Sequence, residues 1–223
     1  MSVYYLLAKE AHKMSENMIH NIICLVIGYF CGCISSGYFV GKFYHIDIRE
    51  HGSSNAGTTN VLRVLGKLPA LITFVCDLAK AILPILVIRI FLTPDNWYLL
   101  CLYIGLGVVL GHNYPFYLGF KGGKGIAVTA AVVLSAAHPL FIPAGIIIFG
   151  TIVACTKYVS LGSLVVAWYI PVNTLLIHRG DKDFVHMMII SLLFTAFAYF
   201  QHRQNIVRLV QGKENKIGSK EKK

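Results

Sequence analysis

Ile126-Ala-Val-Thr-Ala-Ala-Val-Val-Leu-Ser-Ala-Ala-His138-Pro139-Leu-Phe-Ile-Pro-Ala-Gly-Ile-Ile-Ile-Phe-Gly-Thr-Ile-Val-Ala-Cys155 is thirty residues without a single charge outside one histidine. As one helix, at about 1.5 Å per residue, it would measure about 45 Å, against a bilayer core of about 30 Å. It is long for one crossing and short for two full ones. Its middle holds His138–Pro139, and a residue preceding proline disfavours helical geometry. Working outward, five more apolar runs, at 19–44, 69–92, 97–117, 158–177 and 184–200, approach the about 20 residues that a crossing needs. The whole chain is 56% hydrophobic and 13% charged over 223 residues, where a soluble domain carries about 25% charged. This composition excludes an ordinary soluble core and predicts an all-α, polytopic membrane helix bundle.

Charge decides how the thirty-residue run is used. Lysines and arginines lie at 42, 49, 63, 67, 121, 124 and 157, and seven more follow residue 200. The positive-inside bias puts these fourteen in the cytoplasm. Residues 9, 13, 89, 179 and 182 fall on the other side, and Lys80 lies within a run. The segment at 121–124 and the tail share a side only if an even number of crossings separates them. Dividing 126–155 at His138–Pro139 satisfies that; leaving it whole does not. The expectation is seven transmembrane helices, with the N-terminus outside and the C-terminus cytoplasmic. Residues 1–18 read as a weakly ordered N-terminal extension with no cleaved signal, 19–217 as the membrane domain and 218–223 as a basic tail. The surplus of 20 Lys+Arg over 10 Asp+Glu points to topology, anionic lipid or an anionic substrate. No nucleic-acid signature accompanies it. The six cysteines sit inside apolar stretches without a CxxC pair, so they read as small buried hydrophobes, and no metal site is expected.

The unusual polar residues gather in three cytoplasmic segments. The first, Asp47 to Arg63, packs Gly, Ser, Thr and Asn ahead of an apolar-periodic turn, and such residues at a helix start leave N–H groups free for an anion. Arg63 would project from that helix. The second ends in Phe120-Lys-Gly-Gly-Lys-Gly125, directly before the half-helix at Ile126. Successive glycines let N–H groups converge on a phosphate, and the helix dipole and two lysines add positive potential. It is not a Walker A loop. The third, His202 to Glu214, spaces His202, Asn205 and Arg208 three apart on one broad helical face. An imidazole, an amide and a guanidinium there suit phosphate or acyl transfer. Asp77 and Lys80, three apart within one run, read either as a mutual ion pair or as part of a site.

Together, Gly52-Ser-Ser-Asn-Ala-Gly-Thr-Thr-Asn-Val-Leu-Arg63, Gly111-His112 through Gly125, and His202 to Glu214 resemble the acyl-phosphate:glycerol-3-phosphate acyltransferases of bacterial membranes, the PlsY family. The resemblance covers about residues 19–217. It implies transfer of a fatty acyl group from acyl phosphate to glycerol 3-phosphate, giving lysophosphatidic acid and phosphate on the way to phospholipid. It implies no cofactor or metal, a soluble upstream enzyme that makes the donor, and an active site on the cytoplasmic side of the inner membrane. By the same resemblance His202, Asn205 and Ser53 are catalytic, while Arg63, Gly122, Gly123, Lys124, Gly125 and Arg208 bind substrate phosphate. Glu214 matches a motif residue with a structural part. Ser54 stands where the family usually has glycine, and Thr58 where alanine is common.

The residue chemistry supports direct transfer. An acyl phosphate carries its own leaving group, so charge neutralisation and positioning suffice without a covalent nucleophile. Asn205 would orient the attacking hydroxyl, and its proton would pass to His202 or to a substrate phosphate oxygen. The competing reading is a transporter for a phosphorylated or carboxylated anion, which also uses broken helices. The two halves show no self-similarity, however, and the polar residues cluster on one face. His178-Arg-Gly-Asp-Lys-Asp183 has the H-x-x-x-x-D spacing of another acyltransferase class, but it falls on the opposite side and reads as a surface loop.

Overall fold

A computed structural model describes residues 3–92 and 96–218, with side chains for 16–91 and 96–218. These residues form eleven α-helices: α1 Val3–Cys33, α2 Ser36–Phe43, α3 Thr58–Leu65, α4 Lys67–Val87, α5 Trp97–Asn113, α6 Ile126–Ala136, α7 Phe141–Thr156, α8 Val159–Val166, α9 Tyr169–Ile177, α10 Phe184–Gln201 and α11 Arg203–Val210. Five segments are long and apolar enough to cross a membrane: Glu16–Phe43, Lys67–Phe91, Trp97–Leu118, Val159–Ile177 and Phe184–Gln201. The thirty-residue run divides at residues 137–140 into α6 and α7, as Pro139 predicts. His138 keeps its backbone N–H bonded there, to Asn173 Oδ1 at 2.9 Å.

α5 is apolar on every side and buries 14 of its 17 residues, whereas α7 buries none. A helix hydrophobic all round belongs at a centre only where neighbours surround it, so α5 is the axis and α7 the periphery. α1 lies against α5 along a seam of glycines four residues apart on each helix. A Cβ on Gly28 would fall 2.1 Å from the Ile104 carbonyl oxygen, and one on Gly111 2.0 Å from that of Tyr29. Only hydrogen in place of Cβ lets the two backbones approach this closely.

Both ends of the bundle are tied by hydrogen bonds. At one end Tyr98 bonds Thr174 at 2.9 Å, Arg89 donates to the Ser135 carbonyl at 2.8 Å, and Tyr103 meets His186 at 2.6 Å. At the other, Arg49 donates to the Leu118 carbonyl at 3.1 Å and Ile217 N–H to that of Lys157 at 2.8 Å. The three polar segments all belong to this second end.

Two of the expected runs are divided, and the N-terminal stretch is helical. At that end α1 starts at Val3 and runs through residues 3–18. The run 19–44 is interrupted at Ile34 and Ser35, where the Tyr117 hydroxyl donates to the Cys33 carbonyl at 2.7 Å and accepts from Ser35 N–H at 3.3 Å. A bonded hydroxyl satisfies groups that a broken helix exposes. The run 158–177 divides into α8 and α9 around Ala167 and Trp168. The basic tail lies outside the described residues apart from Gly218.

Candidate active site

The first segment is organised by one buried amide. Asn60, in the first turn of α3, accepts from Ser53 N–H at 2.8 Å and Ser53 Oγ–H at 3.1 Å, and its Nδ2 donates to the carbonyls of Ile48 and His51 at 3.0 and 2.9 Å. This curls the chain over its own helix start and leaves Ser53 exposed at the rim. Gly52 and Ser54 sit in the left-handed region at φ 59° and 56°. Ser54 therefore occupies a conformation that glycine adopts freely and serine at a cost. This explains physically the glycine usual in the related motif.

The second segment hangs from the end of α5. Gly122 N–H donates to the Asn113 carbonyl and Gly123 N–H to that of His112, each at 3.0 Å. A Cβ on Gly122 would fall 2.1 Å from the His112 carbonyl oxygen, and one on Gly123 2.0 Å from His112 Nε2. No larger residue fits without moving the loop. Gly125, at φ 84°, turns the chain into α6, whose first-turn N–H groups lack intrahelical acceptors.

The third segment leaves α10 as α11. Lys124 Nζ donates to Asn205 Oδ1 at 2.5 Å, and Asn205 Nδ2 donates to Glu214 Oε1 at 2.7 Å. Glu214 also accepts from Arg208 Nε at 2.9 Å and Ser160 Oγ at 3.1 Å. Asn205 thus has both ends of its amide engaged and sets the position of Lys124. His202 is buried, and its Nδ1–H donates to the Ala198 carbonyl at 2.7 Å, which leaves Nε2 as the unprotonated nitrogen. Burial first, then the Lys124 charge, pushes His202 down to about 4, against the opposing bond to Ala198 and the charge of Glu214. It is neutral near pH 7.

Between these segments lies a pocket of about 560 Å³. Ser53, Gly122, Gly123, Lys124 and Arg208 line it, together with Lys121 and Arg203, and among the described residues no carboxylate does. Four cations facing one volume without an acid make an anion site. Arg63, Gly125, His202 and Asn205 stand outside its lining. Arg63 remains close enough, with Arg208, to act on Lys124, which is held down to about 8 by burial above all, with the two guanidinium charges also lowering it and Glu214 opposing them. Asp77 and Lys80 lie off the lining too, and pair with each other at 2.8 Å. His178 bonds Asp181 rather than Asp183, at the opposite end of the bundle, so the H-x-x-x-x-D spacing assembles no site. Two participants escaped the sequence reading. Asn60 was quoted within its motif without a role, although a buried amide amid Val61 and Leu62 is its signal; Ser160, on an apolar helix, carries none.

A helical membrane bundle with an anion pocket built on a glycine loop defines a membrane enzyme or carrier of phosphorylated compounds. The comparisons are specific: the model of the family "Glycerol-3-phosphate acyltransferase" matches residues 22–212. The chain belongs to that family. It is 42% identical over 208 residues to the glycerol-3-phosphate acyltransferase of Shouchella clausii, covering 91% of this chain and 99% of that one. With its counterpart in Halalkalibacterium halodurans it shares 40% over 203 residues, covering 88% and 95%. It is also similar to the crystal structure of PlsY (YgiH), an integral membrane glycerol 3-phosphate acyltransferase, in its glycerol 3-phosphate form. That likeness has a TM-score of 0.76 at 32% identity, over 89% of this chain and 96% of that one. The lysophosphatidic acid form gives 0.74 at 31%. The protein is thus a multi-pass membrane acyltransferase.

Two outcomes follow from this geometry. Ser54→Gly is expected to keep activity within about two-fold, because the conformation at 54 already suits glycine. Ser54→Val, β-branched at a positive φ, is expected to cost about 1–3 kcal/mol, read as a lower unfolding midpoint in detergent. In a pH series, kcat/KM for the phosphorylated acceptor should fall above about pH 8, as Lys124 (held down to about 8) loses its proton and its hold on phosphate. Lys124→Arg, which stays charged, should move that fall upward; a wild-type fall beginning only near the ordinary lysine value of about 10.4 would contradict the assignment.

Proposed function

We propose that this chain, in the inner membrane of a bacterium, transfers a fatty acyl group from acyl phosphate to glycerol 3-phosphate on the cytoplasmic side, releasing lysophosphatidic acid and phosphate. The observation that carries the reading is the acid-free pocket where three separated segments bring Ser53, Lys121, Lys124, Arg203 and Arg208 to one glycine loop. Two phosphate-bearing substrates repel each other, and this cluster offsets that repulsion. The five long spans together with α6 and α7 taken as two short ones give seven crossings, with the N-terminus outside and the C-terminus inside. The cations at the pocket end support that orientation. The donor would come from a soluble enzyme making acyl phosphate, its chain reaching the pocket sideways from lipid.

In the step itself the acceptor hydroxyl oxygen bonds to the acyl carbon, the bond from that carbon to the phosphate oxygen breaks, and the electron pair leaves with phosphate. Lys124 and Arg208 neutralise the departing charge, the first-turn N–H groups of α6 add to them, and Arg63 adds to the field. The hydroxyl proton has two possible destinations. His202 Nε2 is unprotonated but is a weak base at about 4. A phosphate oxygen is more basic and already beside the hydroxyl, so efficient transfer favours it. His202 then serves to anchor the start of α11 through Ala198, and Asn205 to hold Lys124.

The test is phosphate release by purified protein given palmitoyl phosphate, with and without glycerol 3-phosphate. Release that needs both substrates, with lysophosphatidate formed in equal amount, is expected. Release from the donor alone would make the protein a hydrolase, and uptake of labelled glycerol 3-phosphate into sealed vesicles without a donor would make it a transporter.

A further inference from the structure

Beneath the glycine loop, off the pocket lining, lies a cluster of charged groups that the transfer step does not use. Asp77 is 1%, Lys80 7% and His112 3% exposed. Lys80 Nζ has three neighbours at 2.8 Å: Asp77 Oδ1, the Ile34 carbonyl at the break between α1 and α2, and His112 Nδ1. Ser36 Oγ donates to the same Asp77 oxygen at 2.8 Å. An ammonium has three protons and no lone pair, so it meets three acceptors here. His112 Nδ1 therefore accepts, which puts the ring hydrogen on Nε2. That edge abuts the loop, since a Cβ built on Gly123 would fall 2.0 Å from Nε2. The His112 carbonyl meanwhile holds Gly123 N–H at 3.0 Å. The loop is thus fixed from below twice by one residue, once through backbone and once through the ring that Lys80 orients.

Charges within a membrane bundle are costly and persist where they serve a site or are fully paired. A mutual pair of Asp77 and Lys80 would not require a third acceptor on the residue that carries the loop. We propose that Asp77, Lys80 and His112 are positioning residues for phosphate: Asp77 holds Lys80, Lys80 fixes the His112 ring, and the ring sets the height of Gly123 under the bound anion. None of them touches substrate. The proposal rests on the reading of residues 122–125 as a phosphate loop and adds what keeps that loop in register.

The experiment uses full-length protein in detergent with inorganic phosphate as the probe, measured by product inhibition and by direct titration. His112→Ala and Lys80→Met should each weaken phosphate about tenfold or more, since small displacements at such sites have large effects. The KM of the phosphorylated substrates should rise more than kcat falls. Gly123→Ala should be worse than either, because its methyl meets the ring. In the double variant His112→Ala, Gly123→Ala the obstruction is gone, so phosphate affinity should partly recover relative to Gly123→Ala alone. Loss of packing at two buried sites would not produce that recovery. His112→Asn keeps an acceptor for Lys80 but is too short to reach Gly123, and should weaken phosphate as the alanine does; it stands in if the alanine does not fold. Folded variants that bind phosphate like wild type, or a double variant no better than Gly123→Ala, overturn the proposal. Absence of phosphate binding by the wild type would instead remove the phosphate-loop reading on which it rests.

Discussion

Two backbone bonds, from Gly122 N–H to the Asn113 carbonyl and from Gly123 N–H to the His112 carbonyl, join the glycine loop to the last turn of α5. Lys124 and the partners it reaches take their place from that junction. α5 is the buried axis of the bundle, and the glycine seam brings α1 against it. The loop is therefore referenced to the buried axis of the bundle rather than to its surface. From there Lys124 reaches Asn205 on α11, and Asn205 reaches Glu214. A site meant to hold charged groups within fractions of an ångström gains from being built on such a frame.

The second constraint is electrostatic. Lys121, Lys124, Arg203 and Arg208 line one pocket, and Arg63 bears on Lys124 from outside the lining. Gathering like charges is unfavourable until an anion arrives, and the proposed hold on phosphate draws on that. Glu214 moderates the cost from behind: it accepts from Arg208, Asn205 and Ser160 without entering the lining. It relieves repulsion while leaving the pocket without a negative group that would oppose phosphate. Burial above all, and then this balance of charges, lowers the proton affinity of Lys124.

Much of the fold was readable in advance, and the reasons are specific. Pro139 marked the division between α6 and α7, because proline acts on the local backbone. The three segments were legible because glycine, serine and basic residues are out of place in an apolar chain. The interruption at Ile34 and Ser35 was not legible, since it depends on Tyr117 arriving from 82 residues further along the chain to meet Ser35. Helix through residues 3–18 was missed because their mixed charge suggested disorder. Of the expected residues Ser53, Gly122, Gly123, Lys124 and Arg208 line the pocket, but their partners were not legible. Spacing put Asn205 and His202 on one face, yet only the packed structure turns Asn205 towards Lys124 and Glu214 and puts His202 behind the lining. Ser160 gave no signal at all, being one serine on an apolar helix.

The central claim is that the acyl group passes directly between two substrates held together, with the protein supplying charge and position but no covalent attachment. Initial rates measured while both palmitoyl phosphate and glycerol 3-phosphate are varied test this most directly. Direct transfer requires both to be bound at once, so double-reciprocal plots should intersect. Parallel lines, with an acyl group found on the protein by mass spectrometry after incubation with donor alone, would contradict the account.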